Sequence, residues 1–235
     1  MWLRLPTTVS EAGECLAEGA VLIGGATLQW AAWQRDGFPE QAVSLRELPE
    51  ANVLEPTRVG GAVVLHRLDD RVPDVLRQAA AQVGTGAVRR SATVGGNIVG
   101  SSLRCLLPAA LVLDAKATVL ESGGVREADL SEVVAKRAVL LGLHWREPVA
   151  GAFRKAPGAA GGEPPLVTAS AVHADADGSR LLRVAVRDGY DVLTGSAACT
   201  GGTDETLRAL RATALADLPP AAWDTVRAQA AALLD

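Results

Sequence analysis

AVLIGGATL at residues 20–28 and ATVGGNIVG at residues 92–100 decide how this chain is read. In the first, the apolar run Ala20-Val21-Leu22-Ile23 signals a buried strand that runs straight into Gly24-Gly25, and TLQWAAWQRDG (27–37) reads as a helix ended near Gly37. A strand that turns through glycine into a helix is a ready anion nest. Glycine has no Cβ to block an approaching ligand and admits φ > 0, and the helix adds its positive end. The donors expected there are the backbone N–H groups of Gly25, Ala26, Thr27 and Leu28, with the Thr27 hydroxyl as a supplement. The second stretch repeats the double glycine at Gly95-Gly96 and follows it with Asn97. Neither stretch is a Rossmann G-x-G-x-x-G or a P-loop G-x-x-x-x-G-K, and either one alone also fits an ordinary tight turn. The pair is more specific than its parts.

Outward from the first turn, Thr8 and Glu11 stand in S/T-x-x-E spacing, so reciprocal capping is expected for a short helix carrying Val9, Ala12 and Leu16 and stopped at Gly19. AVSL (42–45) is a second strand, and the order helix, strand, turn, helix, strand resembles a small parallel α/β layer. RVGGAVVL (58–65) is strand-like, and PDVLRQAAAQVG (73–84) is a helix between Pro73 and Gly84. LLPAALVLDA (106–115), ATVLE (117–121) and AVLLGL (138–143) continue that region. Farther on, APGAAGGEPP (156–165) predicts a mobile loop. LVTASAVHAD (166–175) and LLRVAVRD (181–188) predict two antiparallel strands joined around Asp177-Gly178. Two helices, ETLRALRATAL (205–215) and AAWDTVRAQAAALL (221–234), flank Pro219-Pro220. The expected fold class is α+β with an α/β-like N-terminal lobe, divided near residue 150. Residues 1–150 would form two lobes, about 1–56 and 57–150, and residues 151–235 a small C-terminal domain of antiparallel sheet and helices.

Composition narrows the function classes. A net charge of −4 and an acidic isoelectric point near 5.5 give no basic stripe for a nucleic acid. Apolar runs such as AVLLGLHW (138–145) are too short to span a bilayer. The opening MWLRLPTTVSEAGE has neither an apolar core nor a small-residue cleavage site, and Cys15, Cys105 and Cys199 suit a reducing compartment, so a cytoplasmic protein is expected. Those cysteines read as small buried apolar residues. His66, His144 and His173 lack any C-x-x-C or H-E-x-x-H context, so no metal ligands are assigned.

The motif pair resembles the FAD-binding subunit or domain of molybdopterin-dependent dehydrogenases, the group of xanthine dehydrogenase and aerobic carbon monoxide dehydrogenase. LIGGATL (22–28) stands for a strand running into A-G-G-x-x-L, and RRSATVGGN (89–97) for R-x-x-A-T-I-G-G-N about seventy residues later. AVSLREL (42–48) is similar to that group's V-D-L strand and turn, and LLPAALVLDA (106–115) to its P-A-L-x-x-L-x-A segment. FRK (153–155) with LVTASAV (166–172) resembles the start of its smaller C-terminal domain. The resemblance implies the two-lobed FAD-binding fold of the FAD-linked oxidases, with FAD as cofactor. It implies a cofactor site at Ile23, Gly24, Gly25, Ala26, Thr27, Leu28, Thr93, Gly95, Gly96 and Asn97. Ser101 and Ser102 would face the ribityl hydroxyls, and Lys155 would approach the flavin. The chain departs from the group at Leu106, where an acidic residue is usual, and at the 156–165 loop, which replaces a basic, carboxylate-containing run. Pyrophosphate binding therefore carries over better than the surroundings of the ring. Trp30 and Trp33, spaced i,i+3, fit core, a subunit interface or a cover for adenine.

The implied role is electron transfer without catalytic side chains. Electrons would come from a partner chain holding [2Fe–2S] clusters, served by a molybdopterin-binding large subunit, and leave to a small-molecule acceptor. Two rivals stay open at this stage. One is a free-standing FAD-dependent oxidase or dehydrogenase, which needs its own substrate base. The other is a degenerate flavin-fold scaffold that has lost FAD.

Overall fold

Thr8 opens the first helix as expected, its hydroxyl accepting from the Glu11 N–H at 3.2 Å. Glu11 reaches back one residue farther than a capping box requires, to the N–H of Thr7 at 2.8 Å, so two successive threonines share the cap. The computed structural model describes residues 1–158 and 162–234; residues 159–161, within the 156–165 loop, and Asp235 lie outside the described residues.

In chain order the first segment holds β1 (Trp2–Arg4), α1 (Val9–Ala17), β2 (Val21–Leu22), α2 (Gln29–Asp36) and β3 (Gln41–Val43). Next come β4 (Leu54–Glu55), β5 (Arg58–Gly60), α3 (Asp74–Ala81), α4 (Gly86–Ser91) and a π-helix at Gly96–Gly100. α5 (Leu107–Val112), β6 (Lys116–Glu121), β7 (Gly124–Asp129), α6 (Leu130–Lys136) and β8 (Val139–His144) follow. The chain closes with β9 (Ala150–Lys155), β10 (Val167–Ala174), β11 (Arg180–Asp188), β12 (Asp191–Ala198), α7 (Thr203–Leu210) and α8 (Pro220–Leu234). None of the described helices is long and apolar enough to cross a membrane.

Two units emerge, and they interleave along the sequence, whereas the sequence reading draws one boundary near residue 150. The first comprises Met1–Val72, Val83–Arg104 and Ala115–Trp145. It begins with the parallel layer, a three-stranded sheet in the order β1-β3-β2, with α1 and α2 as its crossovers. Cys15, Ala20 and Val43 are buried together beneath α1. The remainder of this unit is an antiparallel sheet in the order β4-β5-β8-β6-β7. Gly60 and Gly61 permit close backbone approach here. A Cβ on Gly60 would lie 2.1 Å from the Ala51 carbonyl oxygen, and one on Gly61 2.1 Å from that of Leu140.

The second unit comprises Pro73–Gln82, Cys105–Asp114 and the chain from Arg146 onward. Its antiparallel sheet runs β12-β11-β10-β9, and the β10–β11 pairing closes around Asp177-Gly178 as the sequence reading expects. Helices cover both faces. On one, Val172, Leu182, Val184 and Val186 pack with Leu210, Trp223 and Val226 of α7 and α8. On the other lie α3 and α5, where His173 Nε2 meets the Val112 carbonyl at 2.8 Å and a Cβ on Gly151 would stand 3.1 Å from Val75. β10 is therefore buried on both sides, which explains why VTASAVHA lacks the alternation of a half-exposed strand.

Candidate functional site

The first glycine turn leaves the parallel sheet at Ile23, whose N–H donates to the Val43 carbonyl at 2.9 Å. Seven residues on, the Trp30 N–H donates to the Ala26 carbonyl at 3.0 Å and begins helical bonding. Between them, no acceptor among the described residues takes the N–H groups of Gly24, Gly25, Ala26, Thr27 or Leu28. Unmet donors in a row are what an anion nest consists of, and the positive end of α2 lies at the same place. The Gln29 side chain pins the turn by donating to the Leu22 carbonyl at 2.9 Å.

One expectation needs correcting. The positive φ that such a turn requires falls on Ala26, at 54°, and not on either glycine. The glycines serve close approach instead. A Cβ on Gly25 would lie 1.8 Å from the carbonyl oxygen of Ser91, and one on Gly24 2.7 Å from Thr93 Oγ1. The two glycine motifs are therefore packed against each other, although about seventy residues separate them in sequence.

The second motif differs from its expected form as well. It is not an open turn but the lead into the π-helix, with Gly95 at φ −61° and ψ −42°. Its N–H groups are consumed by the protein. Val94 donates to Val63 at 2.9 Å, Gly95 to Gly61 at 2.8 Å and Asn97 to the Thr93 carbonyl at 2.9 Å. The Gly96 N–H donates to Thr93 Oγ1 at 3.1 Å. Thr93 and Asn97 are both buried, and Thr93 Oγ1, accepting from Gly96, keeps its own proton free to donate. A side chain on Gly95 would be tight, since a Cβ there would lie 3.1 Å from the Gly61 carbonyl oxygen.

The structure thus brings together Ile23 to Leu28 with Thr93, Gly95, Gly96 and Asn97. The remaining candidates make contacts of their own. Ser101 Oγ accepts from the Leu103 N–H at 3.2 Å, and Ser102 is exposed. Lys155 belongs to the second unit, where its ammonium donates to the Gln82 carbonyl at 3.0 Å. Leu106 is in the same unit and fully buried. The sequence reading missed Ser91, Gly61 and Gln29. A third double glycine at 60–61 was the available signal for Gly61, but it was absorbed into a strand-like run. Among the described residues this cluster contains no carboxylate, imidazole or thiol, so its polarity comes from backbone donors and the side chains of Thr27, Thr93 and Asn97. Burial pushes the thiols of Cys15 and Cys199 up, consistent with inert packing residues.

Comparison with known proteins gives the family and the fold. The family model described as the FAD binding domain in molybdopterin dehydrogenase matches residues 2–140. The fold resembles a chain of quinoline 2-oxidoreductase from Pseudomonas putida 86, with 18% identity, a TM-score of 0.70, and 100% of this chain and 94% of that one covered. It resembles equally a chain of carbon monoxide dehydrogenase from Hydrogenophaga pseudoflava, with 17% identity, a TM-score of 0.71 and the same coverage. A chain of carbon monoxide dehydrogenase from Oligotropha carboxidovorans matches at 17% identity and a TM-score of 0.70, over 99% of this chain and 85% of that one. No curated protein matches the chain in sequence.

Proposed function

Because the chain belongs to the family of the FAD binding domain in molybdopterin dehydrogenase, and so is an FAD-binding oxidoreductase component, we propose that it is the flavin subunit of a heteromeric molybdenum hydroxylase. The residues present suit that cofactor. Five adjacent unmet N–H groups fit a diphosphate, and Gly24 and Gly25 let that turn pack directly on Ser91 and Thr93. When bound, the cofactor supplies electron transfer between the [2Fe–2S] clusters of one partner chain, fed by a molybdopterin-binding large subunit, and a small-molecule acceptor.

The chain's own work is to hold and orient. The N–H groups from Gly24 to Leu28 grip phosphate oxygens through charge-assisted hydrogen bonds, and the exposed Thr27 hydroxyl adds another. Thr93 presents its hydroxyl proton on the neighbouring wall, where Asn97 is also buried. Ser101 and Ser102 are candidates for the ribityl hydroxyls. Three unpaired cysteines suit a reducing cytoplasm as the place where the complex works.

The row of unmet donors carries this reading. Denaturing the purified protein should release one FAD per chain. Recovery of FMN, or of no flavin after reconstitution with excess FAD, contradicts it. The subunit claim has its own test. From the native host the chain should purify with an iron–sulfur and a molybdenum subunit, and the substrate of the complex should bleach FAD absorbance only when all are present. A monomer or homodimer whose flavin is reduced directly by a small organic substrate would contradict the subunit role.

A further inference from the structure

We propose that Trp30 is the surface on which the adenine of the bound dinucleotide stacks. The inference rests on the FAD reading and adds the residue that selects a dinucleotide over a mononucleotide.

Three observations converge. First, α2 buries none of its residues, yet its first turn carries the largest kind of apolar side chain, with Trp30 49% exposed. Second, the indole is braced. Gly37, at φ 101°, turns the chain so that the Phe38 ring lies edge-on to Trp30, with centroids 5.1 Å apart and planes at 72°, while Trp33 flanks Phe38 at 6.1 Å. Aromatic pairs favour this edge-to-face arrangement, and the indole that it braces stays 49% exposed. Third, the Trp30 N–H is bonded to the Ala26 carbonyl. The residue therefore stands one helical turn, about 5 Å, from the row of unmet N–H groups.

A rigid aromatic face left in water beside phosphate-binding amides is a platform for a base. Stacking of this kind needs only a π-face and a fixed ring. FAD continues from its diphosphate through a ribose to adenine, and that arm can lie back along the first turn of α2. FMN ends at its phosphate and has nothing to place there. Trp30 therefore adds affinity for FAD and none for FMN.

The test titrates the full chain with FAD and with FMN, following flavin and indole emission. Trp30→Ala should weaken FAD binding about tenfold or more, as expected for losing one base–aromatic stack, and leave FMN binding unchanged. Trp30→Phe should recover most of the loss. Trp2→Ala, on β1 and 68% exposed, should match the wild type. If the wild-type chain takes up no FAD, the cofactor reading itself falls and this inference with it. If the wild type binds FAD and Trp30→Ala binds it equally tightly, stacking is refuted while the cofactor reading stands. If that variant keeps FAD but no longer holds the iron–sulfur subunit, the ring belongs to a protein interface and the proposal is likewise overturned.

Discussion

The two glycine motifs look alike in sequence and do opposite things in the fold. At Gly24 to Leu28 the backbone donors face no acceptor among the described residues. At Val94 to Asn97 they are spent on Val63, Gly61 and Thr93. The first motif is the proposed binding turn, and the second is the wall against which that turn is built. Their contact explains the pairing: Gly25 lacks a Cβ because the Ser91 carbonyl occupies its place, 1.8 Å from where one would be. A double glycine thus marks close backbone approach in both motifs, and only the bookkeeping of hydrogen bonds tells which of them is open to a ligand.

The harshest way to break this arrangement is Gly25→Val. The obstacle is backbone, which cannot rotate aside, so the two motifs must separate. We expect FAD content to fall close to zero and the melting temperature to drop by about 5 °C or more, the scale of an overpacked core. Gly24→Ala should be milder, because its neighbour is the hydroxyl of Thr93 at 2.7 Å, the tip of a side chain that can turn. Equal damage from both changes would refute the distinction.

Thr93→Val probes the wall directly. It removes the acceptor of the Gly96 N–H and should cost about 1 kcal/mol in denaturant unfolding, with Thr93→Ser restoring it. Unchanged stability in the valine variant would remove Thr93 from the wall.

Ala26→Gly sharpens the comparison from the other side. It relieves a left-handed residue in the open turn and should stabilise the protein by under about 1 kcal/mol, after the entropic cost of glycine. FAD affinity should persist, because the N–H remains. A loss of stability would mean that φ 54° at Ala26 is not a strained position.

The smallest effect concerns the support of the wall. α6, which packs near the π-helix, is tied to β7 by Arg126, which bonds both Glu121 and Glu132. Hydrogen bonds from Arg126, then Lys136, hold the Glu132 carboxyl down at about 2 against an ordinary 4.5. A carboxylate depressed on folding stabilises above its unfolded pKa, and that contribution is lost as pH falls from about 4.5 towards 2. In thermal melts across that window Glu132→Gln should show a shallower pH dependence than wild type. Identical slopes would show the ion pair to be thermodynamically silent, as exposed pairs often are.

Much of this was legible in the chain itself. The α+β class, the parallel opening layer and the β10–β11 hairpin follow from apolar runs, glycine stops and the Asp177-Gly178 turn. The motif pair pointed to the candidate site because its signals are short and local. What escaped depends on pairing partners. β1, β7 and β12 were not anticipated, since WLR is too short, GVREAD is mostly exposed and DVLTGSAA lacks a clear apolar alternation. β1 takes its strand state from β3, distant in sequence, while β7 and β12 take theirs from the hairpin neighbours β6 and β11. The placement of α3 and α5 with the C-terminal sheet escaped for the same reason: an apolar helix face does not say which sheet it covers. The role of each glycine motif stayed hidden because it depends on carbonyls at Gly61, Val63 and Ser91, which carry no sequence signature.

Amide hydrogen exchange, measured residue by residue with and without FAD, tests the central claim most directly. In the FAD-free protein Gly24 to Leu28 should exchange freely while Val94, Gly95 and Asn97 are already protected. Adding FAD should slow the first group about tenfold or more, the protection expected of a charge-assisted hydrogen bond, and leave the second nearly unchanged. Prior protection of the first turn in the FAD-free chain, or exchange there that FAD does not alter, would contradict the assignment of that turn as the site of the cofactor's diphosphate.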